Sequence, residues 1–248
     1  VASLVGSEMC IRDSPDLINQ LWVNEEEIPN NGVDDDNNGY IDDIHGFDFV
    51  NFSSNLQGDD DHGSHVAGIA AAEKNNQKGI SGAFPSVKFI ALACSTGGAG
   101  ISSLATLQAK NYLINLKNRG YNIVAVNASY GSNIYSQLAY ESIEDLSENN
   151  ILFCTAAGND GWNLDLEKDA NGNGILDAEE DLNGNGILDV TYPNSYDIPN
   201  IISVASLNIN RELAYDSNYG NIEVDLAAPG ENIYLSLIHI SEPTRLAT

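Results

Sequence analysis

From Val87 onward, short apolar runs alternate with stretches of helical period, the pattern of parallel strands joined by crossover helices. The pattern predicts strands at Val87–Ala93, Asn122–Asn127, Ile151–Ala156 and Ile201–Ala205. Between the first two, Leu104, Leu107, Tyr112, Leu113 and Leu116 recur on one helical face behind a Ser102-Ser103 cap, and Gly120 closes the element. A second helix is expected near residues 135–147. Upstream, the Ala-rich segment His62–Glu73 follows Asp59-Asp60-Asp61, and carboxylates suit the positive end of a helix dipole. His62 is therefore expected at a helix start, and the fold class is α/β.

The chain has 248 residues, enough for one ordinary domain with a real core. No stretch approaches the roughly 20 consecutive apolar residues of a membrane span. A formal charge of -26 repels phosphate backbones and anionic head groups, which argues against nucleic acid and membrane surfaces as partners. Three Cys are too few for a disulfide scaffold and have no metal-ligand spacing. Cys94 and Cys154 fall on predicted strands and suit small buried hydrophobes, with a disulfide left open.

The two ends differ from the Asp/Asn/Gly-rich interior. Leu4–Ser14 and Leu235–Arg245 can be encoded by one DNA stretch and its frame-shifted reverse complement, and the match extends outward to Val1 and Thr248. That DNA resembles a transposase-type sequencing adapter. Residues 1–14 and 235–248 are accordingly expected to be translated adapter flanking a truncated gene fragment, with the domain in residues 15–234.

Three segments carry oxygen ligands at calcium-loop spacing. Asp169, Asn171, Asn173, Ile175 (through its carbonyl), Asp177 and Glu180 occupy positions 1, 3, 5, 7, 9 and 12 of an EF-hand-type loop, with Gly174 at the turn. A second copy follows as Asp181, Asn183, Asn185, Ile187 and Asp189, with Tyr192 where the bidentate Glu belongs. The pair resembles dockerin repeats and fills an insert at about 162–190. Asp34, Asp36, Asn38, Tyr40 and Asp42 form a third loop, with His45 in the Glu position. The plainer alternative is a set of Asx-Gly turns without an ion. So many carboxylates call for a cation. Ca2+ at millimolar concentration is an extracellular condition, so secretion is expected.

Asp61-His62-Gly63-Ser64-His65-Val66-Ala67-Gly68, Asn75 to Ser86 (NNQKGISGAFPS), Asn127-Ala128-Ser129-Tyr130-Gly131, Ala156-Ala157-Gly158-Asn159 and Ala228-Pro229-Gly230 occur in this order. Together with the segment LWVNEEEIPNNGVDDDNNGYIDDIHGFDFVN, they resemble the subtilisin-like serine proteases over nearly all of residues 15–234, the insert excepted. The resemblance implies a three-layer fold with a mainly parallel central sheet, incomplete at both ends and carrying the calcium-loop insert. It also implies a serine endopeptidase acting on polypeptides by acyl transfer. His62 would be the general base, a role that suits an imidazole of pKa near 6.5. Asn159 would donate to the oxyanion. Ser129, Tyr130 and Gly131 would line one side of the substrate backbone, and Gly97 and Gly98 the other. A zinc reading of His62 and His65 fails, since the spacing is His-x-x-His and Ser64 cannot act as general base.

Two parts of the family pattern have no counterpart. The triad Asp would lie eight residues before Pro15, at Ser7, and the Gly-Thr-Ser-Met-Ala-type nucleophile turn beyond Ala228-Pro229-Gly230 does not occur. The polypeptide as written is therefore expected not to cleave peptides. The competing function is a calcium-binding module that keeps a protease scaffold without catalysis.

Overall fold

The computed structural model of the chain describes residues 2–6, 14–56, 62–95, 100–166, 180–182, 189–235 and 244–245. It divides into two compact units, Val1–Asn127 with Tyr234–Arg245, and Ala128–Ile233 with Leu246–Thr248.

The first unit contains β1 (Ala2–Gly6), β2 (Gly46–Asp48), α1 (His62–Ala71), β3 (Phe89–Ala93) and α2 (Ser103–Asn118). Strand β3 is paired on both edges, in parallel with β1 from Ala2↔Phe89 to Gly6↔Ala93 and with β2 from Gly46↔Ala91 to Asp48↔Ala93. All five of its residues are buried, which is why Phe-Ile-Ala-Leu-Ala shows no polar alternation. At Gly46 a Cβ would lie 1.8 Å from the Ala91 carbonyl oxygen, so only glycine lets β2 approach β3 there. Leu17, Leu21, Leu56, Ala67, Ala71 and Phe89 belong to one apolar core.

Helix α2 begins where predicted: the Ser102 hydroxyl accepts from the Ala105 amide at 3.3 Å. Gly120, at φ +101°, donates to the Lys117 carbonyl and ends it. Its buried stripe is rotated from the predicted one. Ala105, Ala109, Tyr112, Leu113 and Leu116 face inward while Leu104 is 61% exposed, because small alanines allow the close approach that Leu104 would obstruct.

Strand β4 (Ala125–Ala128) spans the division. The second unit holds α3 (Gln137–Glu148), β5 (Leu152–Ala156), β6 (Ile201–Leu207) and β7 (Leu226–Pro229). Strand β6 pairs in parallel with β5 (Phe153↔Ile201) and with β7 (Val204↔Leu226). Ser136 caps α3 through the Ala139 amide, and Ile143 and Leu146 are its buried apolar residues. A tyrosine cluster braces the loop before it: Tyr196 stacks edge-on with Tyr135 and Tyr140, and its hydroxyl donates to the Ser136 carbonyl. The last two strands, β8 (Tyr234–Leu235) and β9 (Thr244–Arg245), form an antiparallel pair counted with the first unit.

Parallel strands linked by helices agree with the α/β expectation, and the predicted elements fall within a few residues of the observed ones. Strands β2 and β7 are not announced by the pattern: β2 has three residues, and β7 ends on a proline. Within the two ends, residues 2–6, 234–235 and 244–245 are strands and Leu235 is buried. Ladder bonds come from backbone groups, so any β-compatible segment such as Ala-Ser-Leu-Val-Gly can complete the edge of β3. Cys94 and Cys154 are free thiols.

Candidate active site

His62 is the first residue of α1, and the Asn75 to Ser86 motif closes the other end of that helix. The amides of Gly82, Ala83 and Phe84 donate to the carbonyls of Ala72, Ile69 and Ala70 at 2.8–2.9 Å, satisfying groups that a helix terminus leaves open. A Cβ on Gly82 would sit 2.4 Å from the Ala72 nitrogen, which explains the glycine. The motif is held in turn by buried Asp16, whose carboxylate accepts from the Asn76 side chain at 2.6 Å and the Ile80 amide at 3.1 Å. His62 is half-buried, whereas His65, one turn on, is buried at 2% exposure. Over the Gly68 face lies Leu235, close enough that a Cβ there would meet its Cδ1 at 2.8 Å.

Asn159 belongs to the second unit, in the turn that follows β5, and is exposed. Its predecessor Gly158 has φ +113°. The turn is tied to the segment 214–219. Asn218 is fully buried, and its side-chain oxygen accepts from the amides of Asp160 at 3.0 Å and Trp162 at 2.9 Å. Its side-chain nitrogen donates to the Ala157 carbonyl at 3.0 Å and the Thr191 hydroxyl at 3.1 Å. Ser129 and Tyr130 are half-buried, Gly131 is exposed, and Ser132 forms an antiparallel bridge with Tyr192. Leu164, Val190, Tyr192, Asp197, Glu223 and Asp225 line a cavity of about 510 Å3 in this unit, so both flanks of the insert reach its wall.

Within the first unit the predicted Asp34–Asp42 loop is an Asx lattice. Asp34 accepts from the amides of Asn38 and Gly39, and Asp42 from those of Asn31 and Gly32. His45 instead contacts the Trp22 carbonyl through Nδ1, and Tyr40 packs its ring against Phe47, Phe49 and Tyr112. The carboxylates that converge are Glu27, Asp36 and Asp43, with one oxygen from each within 4.8 Å of the others. Only Asp36 belongs to the predicted ligand set. Asp43 is completely buried and accepts from Tyr112, Asn24 and Asn38.

Burial pushes the Asp43 carboxyl above the usual range, with Asp36 adding repulsion against the lowering of those three hydrogen bonds. Glu27 is raised for the same first reason, then by Asp43 and Asp36, while the amides of Asp36 and Asp35 pull it down. Arg119 supplies the positive charge: its guanidinium is 3.1 Å from Asp36 and 3.5 Å from Glu26, and it donates to the Asp36 carbonyl at 2.8 Å. Three buried hard-oxygen donors fit a calcium-type cation by donor chemistry. Periodicity alone gave no sign of Glu27, Asp43 or Arg119, which lie outside the loop spacing.

In the insert, Glu180 and Asp189 are buried and Asp181 is half-buried. Asp169, Asn171, Asn173, Ile175, Asp177, Asn183, Asn185 and Ile187 lie outside the described residues, as do Gly97 and Gly98.

The sequence profile described as "Subtilase family" matches residues 9–247. Subtilisin-like protease 1 of Plasmodium falciparum (isolate 3D7) is 32% identical over 255 residues, covering 96% of this chain and 34% of that protein. The Minor extracellular protease Epr of Bacillus subtilis (strain 168) is 32% identical over 190 residues, covering 76% of this chain and 24% of that protein. The chain thus spans about a third or less of these curated relatives. Among solved structures, a lanthipeptide protease superposes with TM-score 0.63 at 19% identity, covering 94% of this chain and 55% of that one. A cold-adapted subtilisin-like serine proteinase gives 0.61 at 17% identity, covering 95% and 64%. At such identities the structural likeness concerns the fold.

Proposed function

Since the chain belongs to the subtilase family of subtilisin-like serine proteases, we propose that it is part of a secreted serine endopeptidase that hydrolyses polypeptides through an acyl-enzyme. The observation that carries this reading is the placement of His62 at the start of a helix whose far end is closed by the NNQKGISGAFPS motif. In the proposed reaction, His62 takes the proton from a serine hydroxyl as it attacks the scissile carbonyl, then passes it to the leaving amine. Asn159 donates to the oxyanion, and loss of such a donor costs about a hundred- to a thousand-fold in turnover. Ser129, Tyr130 and Gly131 hold the substrate backbone on one side, Gly97 and Gly98 on the other.

The family's Asp turn and nucleophile turn have no counterpart in this sequence, and removing triad members leaves only a small residual rate. The chain as written is proposed to be a fragment, inactive, with residues 1–14 and 235–248 of adapter origin. A fluorophosphonate probe is expected to label the product of the intact gene and leave this chain unlabelled; labelling of this chain would overturn the inactivity. DNA beyond Tyr234 distinguishes the enzyme from a calcium-binding module without catalysis. A Ser in a Gly-flanked turn supports the enzyme, and another residue there supports the module.

Glu27, Asp36 and Asp43 would hold Ca2+ in the first unit, and the loops from Asp169 and Asp181 would hold it in the insert. The Bacillus relative is named an extracellular protease, which agrees with secretion and millimolar calcium. The insert is proposed to shape the pocket for the residue before the scissile bond. Deleting residues 163–190 from the intact enzyme is expected to change substrate preference, and unchanged preference would refute that role.

A further inference from the structure

We infer that Asn218 is a positioning residue for the oxyanion turn, an inference that rests on the protease reading of Asn159. The turn spans Ala157 to Trp162, and the segment ending at Asn218 binds Ala157, Gly158, Asp160, Gly161 and Trp162. The Asn218 side chain takes the Ala157 carbonyl and the Asp160 and Trp162 amides. Its own amide donates to the Gly158 carbonyl at 2.9 Å, and the Gly161 amide donates to the Asp216 carbonyl at 2.9 Å. Asn159 lies in the middle of the turn. It is also the exposed position from which a carboxamide must reach a reacting carbonyl.

The chemistry requires an amide at 218. A carboxamide has two acceptor sites and two N–H donors, and here all four are used on two amides, one carbonyl and one hydroxyl. Aspartate would keep the two acceptor contacts and lose both donors. Alanine would lose all four and leave buried backbone groups unsatisfied. The anchor is itself fixed. The Ser217 hydroxyl accepts from the Ser206 amide on β6 and donates to the Asn218 carbonyl, and the Ser217 amide donates to the Ala214 carbonyl. Rigidity of the central strand is thereby passed to the turn. Gly158 completes the fit, because a Cβ there would meet the Asn218 side-chain nitrogen at 2.4 Å. Preorganised donors stabilise developing charge only when they need not reorganise, so slack in this turn lowers turnover without weakening substrate binding.

Two measurements test this. In the chain as it stands, hydrogen exchange of the Asp160 and Trp162 amides is expected to accelerate at least about tenfold in Asn218→Ala and much less in Asn218→Asp, which keeps the acceptors. Equal exchange in both variants and the unsubstituted chain would overturn the clamp. In the product of the intact gene, Asn218→Ala is expected to lower kcat roughly tenfold with KM within about twofold, and to add less than about twofold in an Asn159→Ala background. Losses that multiply in the double variant, or a change confined to KM, would overturn the inference while leaving the protease reading intact. An unsubstituted full-length protein that cleaves no peptide would defeat both. Thr191→Val, which removes one acceptor at the rim of the clamp, serves if Asn218→Ala does not fold. A smaller kcat loss of the same kind is expected, and none would overturn the inference.

Discussion

At Gly158 two independent constraints meet, a φ of +113° and the Asn218 side chain 2.4 Å from where a Cβ would stand. Gly158→Ala is therefore expected to destabilise the second unit by about 2–4 kcal/mol, measurable by denaturant unfolding. Lys110 poses the opposite case. It is 1% exposed, and burial lowers its amine from 10.5 to about 8, with the Cys94 thiol pulling it partly back up. Between about 8 and 10.5 the unfolded chain holds more protons than the native one, so this group makes stability rise with pH across that window. Lys110→Met is expected to stabilise the protein at pH 7 by on the order of 1–3 kcal/mol. Thermal scans at pH 7 and pH 10.5 should show the gain shrinking at the higher pH, and a variant less stable at pH 7 would contradict it. His62 and Asn159 could be proposed from the sequence because the motifs around them are local. Asn218 could not, since its partners lie about 27 to 61 residues away and nothing in Asp-Ser-Asn-Tyr-Gly distinguishes a clamp from an ordinary polar turn.

At the element scale, the start of α2 is the most legible feature, because a cap is a contact across three residues. Ser102→Ala and Ser136→Ala should each cost about 1 kcal/mol, with Asp at either position retaining most of it; chemical denaturation of the two variants checks this. The acidic loop is less legible. Its predicted Asp34–Asp42 spacing is real as local turn chemistry, yet the converging carboxylates include Glu27 and Asp43, brought in by the chain path rather than by loop period. Since the native carboxyls of Glu27 and Asp43 are raised, the native state binds more protons than the unfolded chain between their ordinary and raised values. In a calcium chelator these two groups favour the fold as pH falls from neutral into that window. Millimolar calcium should cancel that gain, since it needs both groups ionised. Arg119→Gln should lower the thermal midpoint by several degrees in chelator, because Asp36, its side chain wholly buried, loses its counter-charge. Calcium should restore most of the loss, and an equal deficit with and without calcium would sink the cation reading of the trio.

For the whole molecule, charge and exposed apolar surface oppose one another. The second unit exposes Ile209 at 89%, Tyr215 at 97% and Ile222 at 72%, along with Leu226 on β7. A formal charge of -26 keeps copies apart at low ionic strength, but above about 0.15 M salt the screening length falls below about 8 Å and contact-range attraction decides. The chain should run as a monomer in dilute buffer and self-associate at about 0.5 M sodium chloride in light scattering. Monodispersity at both would show that these side chains do not form a cohesive patch. By itself, the sequence determined the α/β order of elements, the Ser102 cap and the family, because apolar periodicity, capping and local motifs act over a few residues. Tertiary structure alone decided which carboxylates converge, which side chain staples the turn after β5, and that Ala2–Gly6 pairs with β3. Those outcomes depend on backbone pairing and on groups far apart in the chain, whose meeting no local pattern records.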